Sequence, residues 1–206
     1  MNMRLTAFGR LVVLRRPPLC SEIALWLIGE VVDLEAQCDA LQAGTSPPYW
    51  AFCWGSGQAL ARWILDHPEQ VAGKRVIDFG AGSGVAGIAA ARAGAASVLA
   101  VDVDPAAREA VRANALVNGV HVDTTDTVSG EWDLLVAGDV LYEPGLAKAI
   151  EDLRRIACGS SRHVVVGEPE RPGNPGHAGK LVKRYDVRTF PDVDSPTQAV
   201  RIHRLT

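Results

Sequence analysis

At roughly 150 residues per domain, a chain of 206 residues has room for one α/β-sized unit with a real core. Hydrophobic residues make up 48% of it and charged residues 22%, which excludes a largely disordered polymer. With 21 Lys+Arg against 24 Asp+Glu, the net charge of −3 excludes a global field that would draw in nucleic acid or an anionic membrane.

In chain order, the first twenty residues hold Arg4, Arg10, Arg15 and Arg16 and no acid. That composition faintly resembles an organelle transit peptide, but Pro17 and Pro18 interrupt it, so a structured N-terminal segment is expected. Ser21 to about Leu34 reads as helical. The longest stretch without Asp, Glu, Lys or Arg, Ala40 to Ala61, carries Pro47 and Pro48 and is not a membrane span. Ser56 to Asp66 reads as a helix with Ser56 as its N-cap.

Between Lys74 and Gly167, apolar runs alternate with helical patterns. Val76–Phe79, Val98–Val101, Leu134–Ala137 and His163–Val166 are short runs stopped by Gly or Asp, as expected of parallel strands buried on both faces. Val85 to Ala93 forms the first intervening helix. Asp104 caps the second with Pro105 at its first position, and Asn118-Gly119 ends it. Pro144 opens the third, from about Gly145 to Ala157. Glu168 to Gly179 reads as a loop, and Tyr185–Phe190 with Gln198–Leu205 as an antiparallel hairpin on one sheet edge. The expected fold is a doubly wound, mostly parallel seven-stranded α/β sheet of Rossmann-like type with a C-terminal hairpin and an N-terminal helical extension. An N-terminal helical and aromatic segment, residues 1–72, packs on a main domain of residues 73–206, forming one globular unit.

Four cysteines, Cys20, Cys38, Cys53 and Cys158, have no CxxC spacing, and the five histidines lie far apart, so no metal site is expected. Scattered thiols in a chain of this size suit a reducing compartment. The expected location is cytoplasmic, or the mitochondrial matrix if the N-terminus is a transit peptide. A monomer is expected.

Ligands of open α/β sheets bind at the carboxyl ends of the strands, and four acids stand there: Asp78, Asp102, Asp139 and Glu168. Such a rim suits a cationic or hydroxyl-rich ligand. The glycine loop Asp78-Phe79-Gly80-Ala81-Gly82-Ser83-Gly84 admits two frames. Gly82, Gly84 and Gly87 satisfy GxGxxG, with Asp102 twenty residues beyond Gly82, which is the dinucleotide arrangement of an oxidoreductase. Gly80, Gly82 and Gly84 instead satisfy D-x-G-x-G-x-G, which resembles motif I of S-adenosylmethionine-dependent methyltransferases. Counting from Gly80 at the strand end, the dinucleotide frame needs glycine where Val85 stands. In either frame Asp102 would accept from the ribose hydroxyls.

After the third strand, Asp139 and Tyr142 offer a carboxylate and a phenol to orient a substrate amine. A lysine must lose its proton before an in-line displacement, which from a pKa of ~10.4 costs about 4 kcal/mol near pH 7.4. Upstream, Tyr49, Trp50, Phe52 and Trp54 cluster within six positions. They could wall a channel for a sulfonium or an alkylated ammonium, although the i,i+4 spacing of Trp50 and Trp54 equally suits a buried helix face. Trp26, Trp63 and Trp132 read as core.

Ser21–Leu25, Pro47–Phe52, Gly57–Arg62, Leu65–Pro68, Gly73–Phe79, Asp102–Pro105 and Gly138–Glu143 together resemble the lysine methyltransferases that modify the β-subunit of electron transfer flavoprotein. The resemblance implies a seven-stranded methyltransferase that uses S-adenosylmethionine on lysines of a folded protein. It assigns Trp54, Gly80, Gly82 and Asp102 to the cofactor, and Asp139 with Tyr142 to the D-x-x-Y motif shared between cofactor and substrate lysine. The strand ends and the glycine loop add Asp78, Ala81, Gly84, Val103 and Gly138 to the cofactor candidates, and the polar stretch between Val120 and Gly130 adds Asp126 for adenine; Tyr49 and Trp50 of the aromatic cluster and Glu168 at the fourth strand end are the substrate candidates. Cys53 and Gly55 depart from the family's pattern. Other protein or small-amine methyltransferases, an NAD(P)-dependent oxidoreductase and a non-catalytic cofactor-binding module are the competing readings.

Overall fold

The computed structural model describes residues 6–7, 9–29, 33–39, 47–140, 144–170, 179–191 and 197–205. In chain order the elements are β1 (Thr6–Ala7), β2 (Arg10–Leu11), β3 (Val13–Arg15), β4 (Leu25–Leu27), α1 (Leu34–Asp39), α2 (Gly55–Asp66), β5 (Arg75–Phe79) and α3 (Val85–Arg92). There follow β6 (Ser97–Val101), α4 (Pro105–Val117), β7 (Asp123–Thr125), β8 (Leu134–Gly138), α5 (Pro144–Ala157), β9 (His163–Pro169), β10 (Gly179–Val187) and β11 (Gln198–Leu205).

Seven strands form the central sheet in the order β10-β11-β9-β8-β5-β6-β7. β5 pairs in parallel with β6 and β8, β6 with β7, and β8 with β9. Strand order therefore reverses at β5, and the crevice beyond the carboxyl ends of β5 and β8 is where such a sheet binds ligands. β8 and β9 are almost wholly buried, as continuous apolar runs such as Leu134–Ala137 and Val164–Val166 require when both faces are covered.

The C-terminal hairpin is present, but its second strand, β11, wedges between β9 and β10, antiparallel to both. β10 thus runs in the direction of β9, and its carboxyl end reaches the same rim. It begins at Gly179 and stops at Val187, earlier than the expected Tyr185–Phe190. Phe190 instead forms an isolated antiparallel bridge with Cys53, which ties the aromatic segment to this edge. β9 extends through Glu168 to Pro169, so Glu168 lies in a strand and not in the loop expected from it onward. β7 was not anticipated, since Asp-Thr-Thr carries no apolar signature.

The helix expected over Ser21 to about Leu34 is not formed. A 3-10 turn, Pro18–Cys20, precedes the span, and within it the chain forms β4, which pairs with β3. Ile23, Ala24 and Ile28 are buried on either side of β4, and within it Leu25 and Leu27 are buried while Trp26 between them is half-buried, the alternation of a strand. Asn114 of α4 and Asn118 at its C-cap, one turn apart, hold the backbone of this segment. Asn114 Oδ1 accepts from the Trp26 N–H at 2.7 Å, Asn118 Oδ1 accepts from the Ala24 N–H at 2.9 Å, and Asn118 Nδ2 donates to the Ala24 carbonyl at 2.6 Å.

α2 occupies the expected span to Asp66, but its N-cap is Trp54 and Ser56 is buried in the first turn. It packs against α3 and across the sheet from β8 to β10. Leu60, Trp63 and Ile64 lie in one core cluster with Ile23, Leu25, Val76, Ile88, Val136 and Val165. Each such fully buried side chain contributes about 1.5–3 kcal/mol of apolar transfer energy. α4 starts as expected: Asp104 accepts from the Ala106 N–H at 2.8 Å, Pro105 follows it, and Gly119 takes the left-handed conformation after the helix.

Candidate active site

The glycine loop leaves β5 at Phe79 and enters α3 at Val85. Its first part is moored to β6, since the N–H groups of Gly80 and Ala81 both donate to the Val101 carbonyl, at 2.8 and 3.1 Å. Gly80, Gly82 and Gly84 all have positive φ, which L side chains rarely adopt. A Cβ on Gly80 would also lie 2.9 Å from Val140 Cγ1, so the loop following β8 rests on this turn. At Gly82 the nearest neighbour to such a Cβ is the Cα of Trp50, 4.0 Å away, which places the aromatic segment beside the loop.

Asp102, after β6, meets the loop from the side. Its Oδ2 accepts from the Gly82 N–H at 2.8 Å and its Oδ1 from the Asp104 N–H at 3.0 Å, so both carboxylate oxygens are oriented by main-chain donors. Burial raises its pKa above the ordinary carboxylate range, and those two donors work against the shift. The carboxylate is half-buried and each oxygen keeps acceptor capacity, which suits a vicinal diol. Val103, next to it, is 80% exposed and offers apolar surface for a planar ring. Asp126 is exposed just beyond β7, which is hydrogen-bonded to β6, and accepts from Thr127 Oγ1 at 3.0 Å.

Asp78 is not on the rim with the other acids. It is 4% exposed beneath the loop, with Oδ2 accepting from the Gly87 N–H at 2.8 Å. The N-cap of α3 is Gly84, which has no side chain, so Asp78 supplies the missing acceptor from the strand. Desolvation, only partly opposed by the Gly87 N–H and reinforced by the charge of Asp102, pushes its pKa up to about 7. The sequence marks Asp78 as an acid at a strand end but not which way the side chain turns.

Gly138 ends β8 against the first turn of α2: a Cβ there would lie 3.2 Å from the Gly57 nitrogen. Asp139 follows with φ of +54°, and its N–H donates to the Gly167 carbonyl at 2.9 Å. Among the described residues it is the one non-glycine with positive φ, a costly conformation that aspartate tolerates better than most residues. Glu168, 6% exposed, accepts from the Val140 N–H at 3.2 Å and so braces the segment that carries Asp139. Tyr142 lies outside the described residues.

The aromatic segment divides in two. Trp50 is 3% exposed and clusters with Phe52, Ile28 and the alanines 107, 110 and 113 of α4, so it packs and presents no face to a channel. Its spacing to Trp54 is not that of one helix face, because a 3-10 turn, Tyr49–Ala51, gives way to extended backbone at Phe52. Trp54 is half-buried. Its Nε1 donates to the Tyr49 carbonyl at 2.9 Å, and its ring meets that of Tyr49 edge-on at 5.9 Å. Tyr49 remains 45% exposed.

Two supports escaped the sequence reading. Asn114 Nδ2 donates to the Ser83 carbonyl at 2.9 Å, joining α4 and the N-terminal strand to the glycine loop, and Val140 seats Gly80. Two asparagines at i,i+4 on an apolar helix face were the available signal for the first. The second had none.

The sheet order, the acid after β6 and the glycine turn define the architecture of doubly wound methyltransferases. Magnesium protoporphyrin IX methyltransferase from Synechocystis PCC 6803, solved with bound SAM, superposes with a TM-score of 0.53 at 17% identity over 72% of this chain and 76% of that one. The family model for ribosomal protein L11 methyltransferase (PrmA) matches residues 59–158.

A Xenopus laevis electron transfer flavoprotein beta subunit lysine methyltransferase is 40% identical over 167 residues, 78% of this chain and 68% of that protein. Its Rattus norvegicus counterpart is 40% identical over 140 residues, 65% of this chain. The chain belongs to the electron transfer flavoprotein beta subunit lysine methyltransferase family. It spans about half the length, 55%, of the rat relative.

Proposed function

We propose that this protein is an S-adenosylmethionine-dependent protein-lysine N-methyltransferase whose substrate is the β-subunit of electron transfer flavoprotein. The observation that carries the reading is the pairing of Gly82 with Asp102, where a turn only glycine adopts easily and a preoriented carboxylate share one hydrogen bond within a family that names this activity. The residues fit the cofactor: the turn at Gly80 and Gly82 admits close approach, Asp102 would hold the ribose hydroxyls, Val103 and Asp126 flank the place for adenine, and Trp54 with Tyr49 borders the cleft.

When bound, the cofactor supplies an electrophilic methyl on a sulfonium. The protein's part is to hold a neutral amine in line with it. Asp139 is held at the mouth of β8 by its N–H bond to Gly167, and Glu168 fixes the next backbone N–H, so the carboxylate has a defined position from which to accept the amine's hydrogen bonds. Four free thiols accord with work in a reducing compartment, and we propose a cytoplasmic monomer.

Incubation with labelled S-adenosylmethionine and purified electron transfer flavoprotein β-subunit, followed by peptide mass spectrometry, tests the reading. Label on lysine is expected. Label confined to small molecules overturns the protein substrate, and binding of NAD in place of S-adenosylhomocysteine overturns the cofactor.

A further inference from the structure

A cavity of about 600 Å³ opens on the strand rim away from the glycine loop. Pro18, Leu19, Val187 and Phe190 give it apolar walls, Gln58 of α2 reaches it from one side, and Arg15 of β3 from another. Arg15 is held in place, its guanidinium 5.0 Å from the Phe190 ring centroid and its Nη1 donating to the Gly29 carbonyl at 2.6 Å, yet no carboxylate of the described residues pairs with it. The acid at the cavity, Asp186, is taken by Arg184 at 3.2 Å, and Arg188 at the same wall donates to Thr197 Oγ1. The cavity is therefore apolar inside and cationic at its edge.

Its place in the sheet relates it to the methyl-transfer site. The carboxyl ends of β9 and β10 both meet the start of β11, where Val200 pairs with Pro169 and Gln198 with Val187. Val187 thus stands on the rim that carries Asp139, three strand spacings from β8, or about 14 Å at ~4.8 Å each. Roughly four residues of extended chain cover that distance.

We propose that this cavity anchors the protein substrate, taking an apolar or aromatic side chain with a carboxylate beside it, about four residues from the lysine presented to Asp139. The proposal rests on the function proposed above. An apolar interior supplies burial, and Arg15 supplies a fixed, already oriented charge for the acid.

Steady-state methylation of intact electron transfer flavoprotein β-subunit by Arg15→Glu, which reverses the edge charge, and by Thr189→Trp, which fills the cavity, tests this. KM for the protein should rise at least tenfold in both, with kcat and the S-adenosylhomocysteine dissociation constant unchanged. The unchanged dissociation constant also checks that the variants fold. KM within twofold of the unsubstituted enzyme in both variants overturns the anchoring role. Disruption by Arg15→Glu of a dimer, with KM unmoved, makes the cavity an interface between copies and likewise overturns it. If the unsubstituted chain methylates nothing on that protein, the function proposed above fails and this proposal falls with it.

Discussion

Oδ2 of Asp78 accepts the backbone N–H of Gly87 across 2.8 Å, so the first turn of α3 is capped from the strand that precedes it. Gly87 is needed for this approach, since a Cβ there would sit 3.0 Å from that oxygen and 3.2 Å from Val98 Cγ1. The bond holds the glycine turn between two fixed elements. It does so with a carboxyl that burial has brought to a pKa of about 7.

Asp78 should therefore contribute its own pH dependence to stability. A carboxyl whose pKa is higher in the folded state than its unfolded value of ~3.9 binds its proton more tightly when folded. Its favourable contribution is complete below about pH 4 and is lost as the pH rises through about 7. Asp78→Asn keeps an acceptor and removes the titration, so relative to the unsubstituted chain it should gain up to ~1.4 kcal/mol per pH unit between pH 5 and 7. Urea midpoints of both proteins across that range check this, and parallel curves would refute it.

Asp102→Asn keeps the size of the side chain but removes the charge that makes it a strong double acceptor. The dissociation constant of S-adenosylhomocysteine should rise by ~10- to 10²-fold, the difference between charged and neutral hydrogen bonds. Isothermal titration measures it; an unchanged constant would remove Asp102 from the cofactor site.

At Asp139 the backbone and the carboxylate can be separated, because φ of +54° costs glycine nothing. Asp139→Gly should keep thermal stability within ~1 kcal/mol while methyl transfer falls by at least ~10²-fold, the usual scale for a positioned proton acceptor. S-adenosylhomocysteine affinity should be retained. Activity within tenfold of the unsubstituted protein would show that the carboxylate does not act on the amine.

Asn114 serves three pieces of structure at once. Asn114→Ala leaves the Trp26 N–H and the Ser83 carbonyl without their partners, at ~1–3 kcal/mol for each buried group. A loss of roughly 2–5 kcal/mol in chemical denaturation is expected, with weaker S-adenosylhomocysteine binding because the turn at Ser83 is loosened. A loss under ~0.5 kcal/mol would mean that water replaces the side chain.

The central strands were legible because their signal is local. Val76–Phe79, Val98–Val101, Leu134–Ala137 and His163–Val166 are apolar runs closed by Gly or Asp, and each proved to be a strand within a few residues of its expected ends. Asp102 was legible for a similar reason, standing immediately after such a run. β4 was not, since the acceptor for its Trp26 N–H lies 88 residues further on, at Asn114. The polar Asp-Thr-Thr of β7 becomes a strand through pairing with β6, which no window of its own sequence records. The same holds for the site. The acids could be counted, but only packing decides that Asp78 turns under the loop, Trp50 enters the core and Asp139 adopts a left-handed backbone.

The wedged position of β11 has a consequence for assembly of the molecule. β10 precedes it in the chain but hydrogen-bonds to the rest of the sheet only through it, so β10 joins the sheet with β11, as a hairpin, and not before it. The Cys53–Phe190 bridge follows β10 in the chain and lies on the same flank. A nascent or partly unfolded molecule could keep a formed glycine turn while the opposite flank of the cleft is still open, so competence to grip the nucleoside and competence to receive a partner need not arise together.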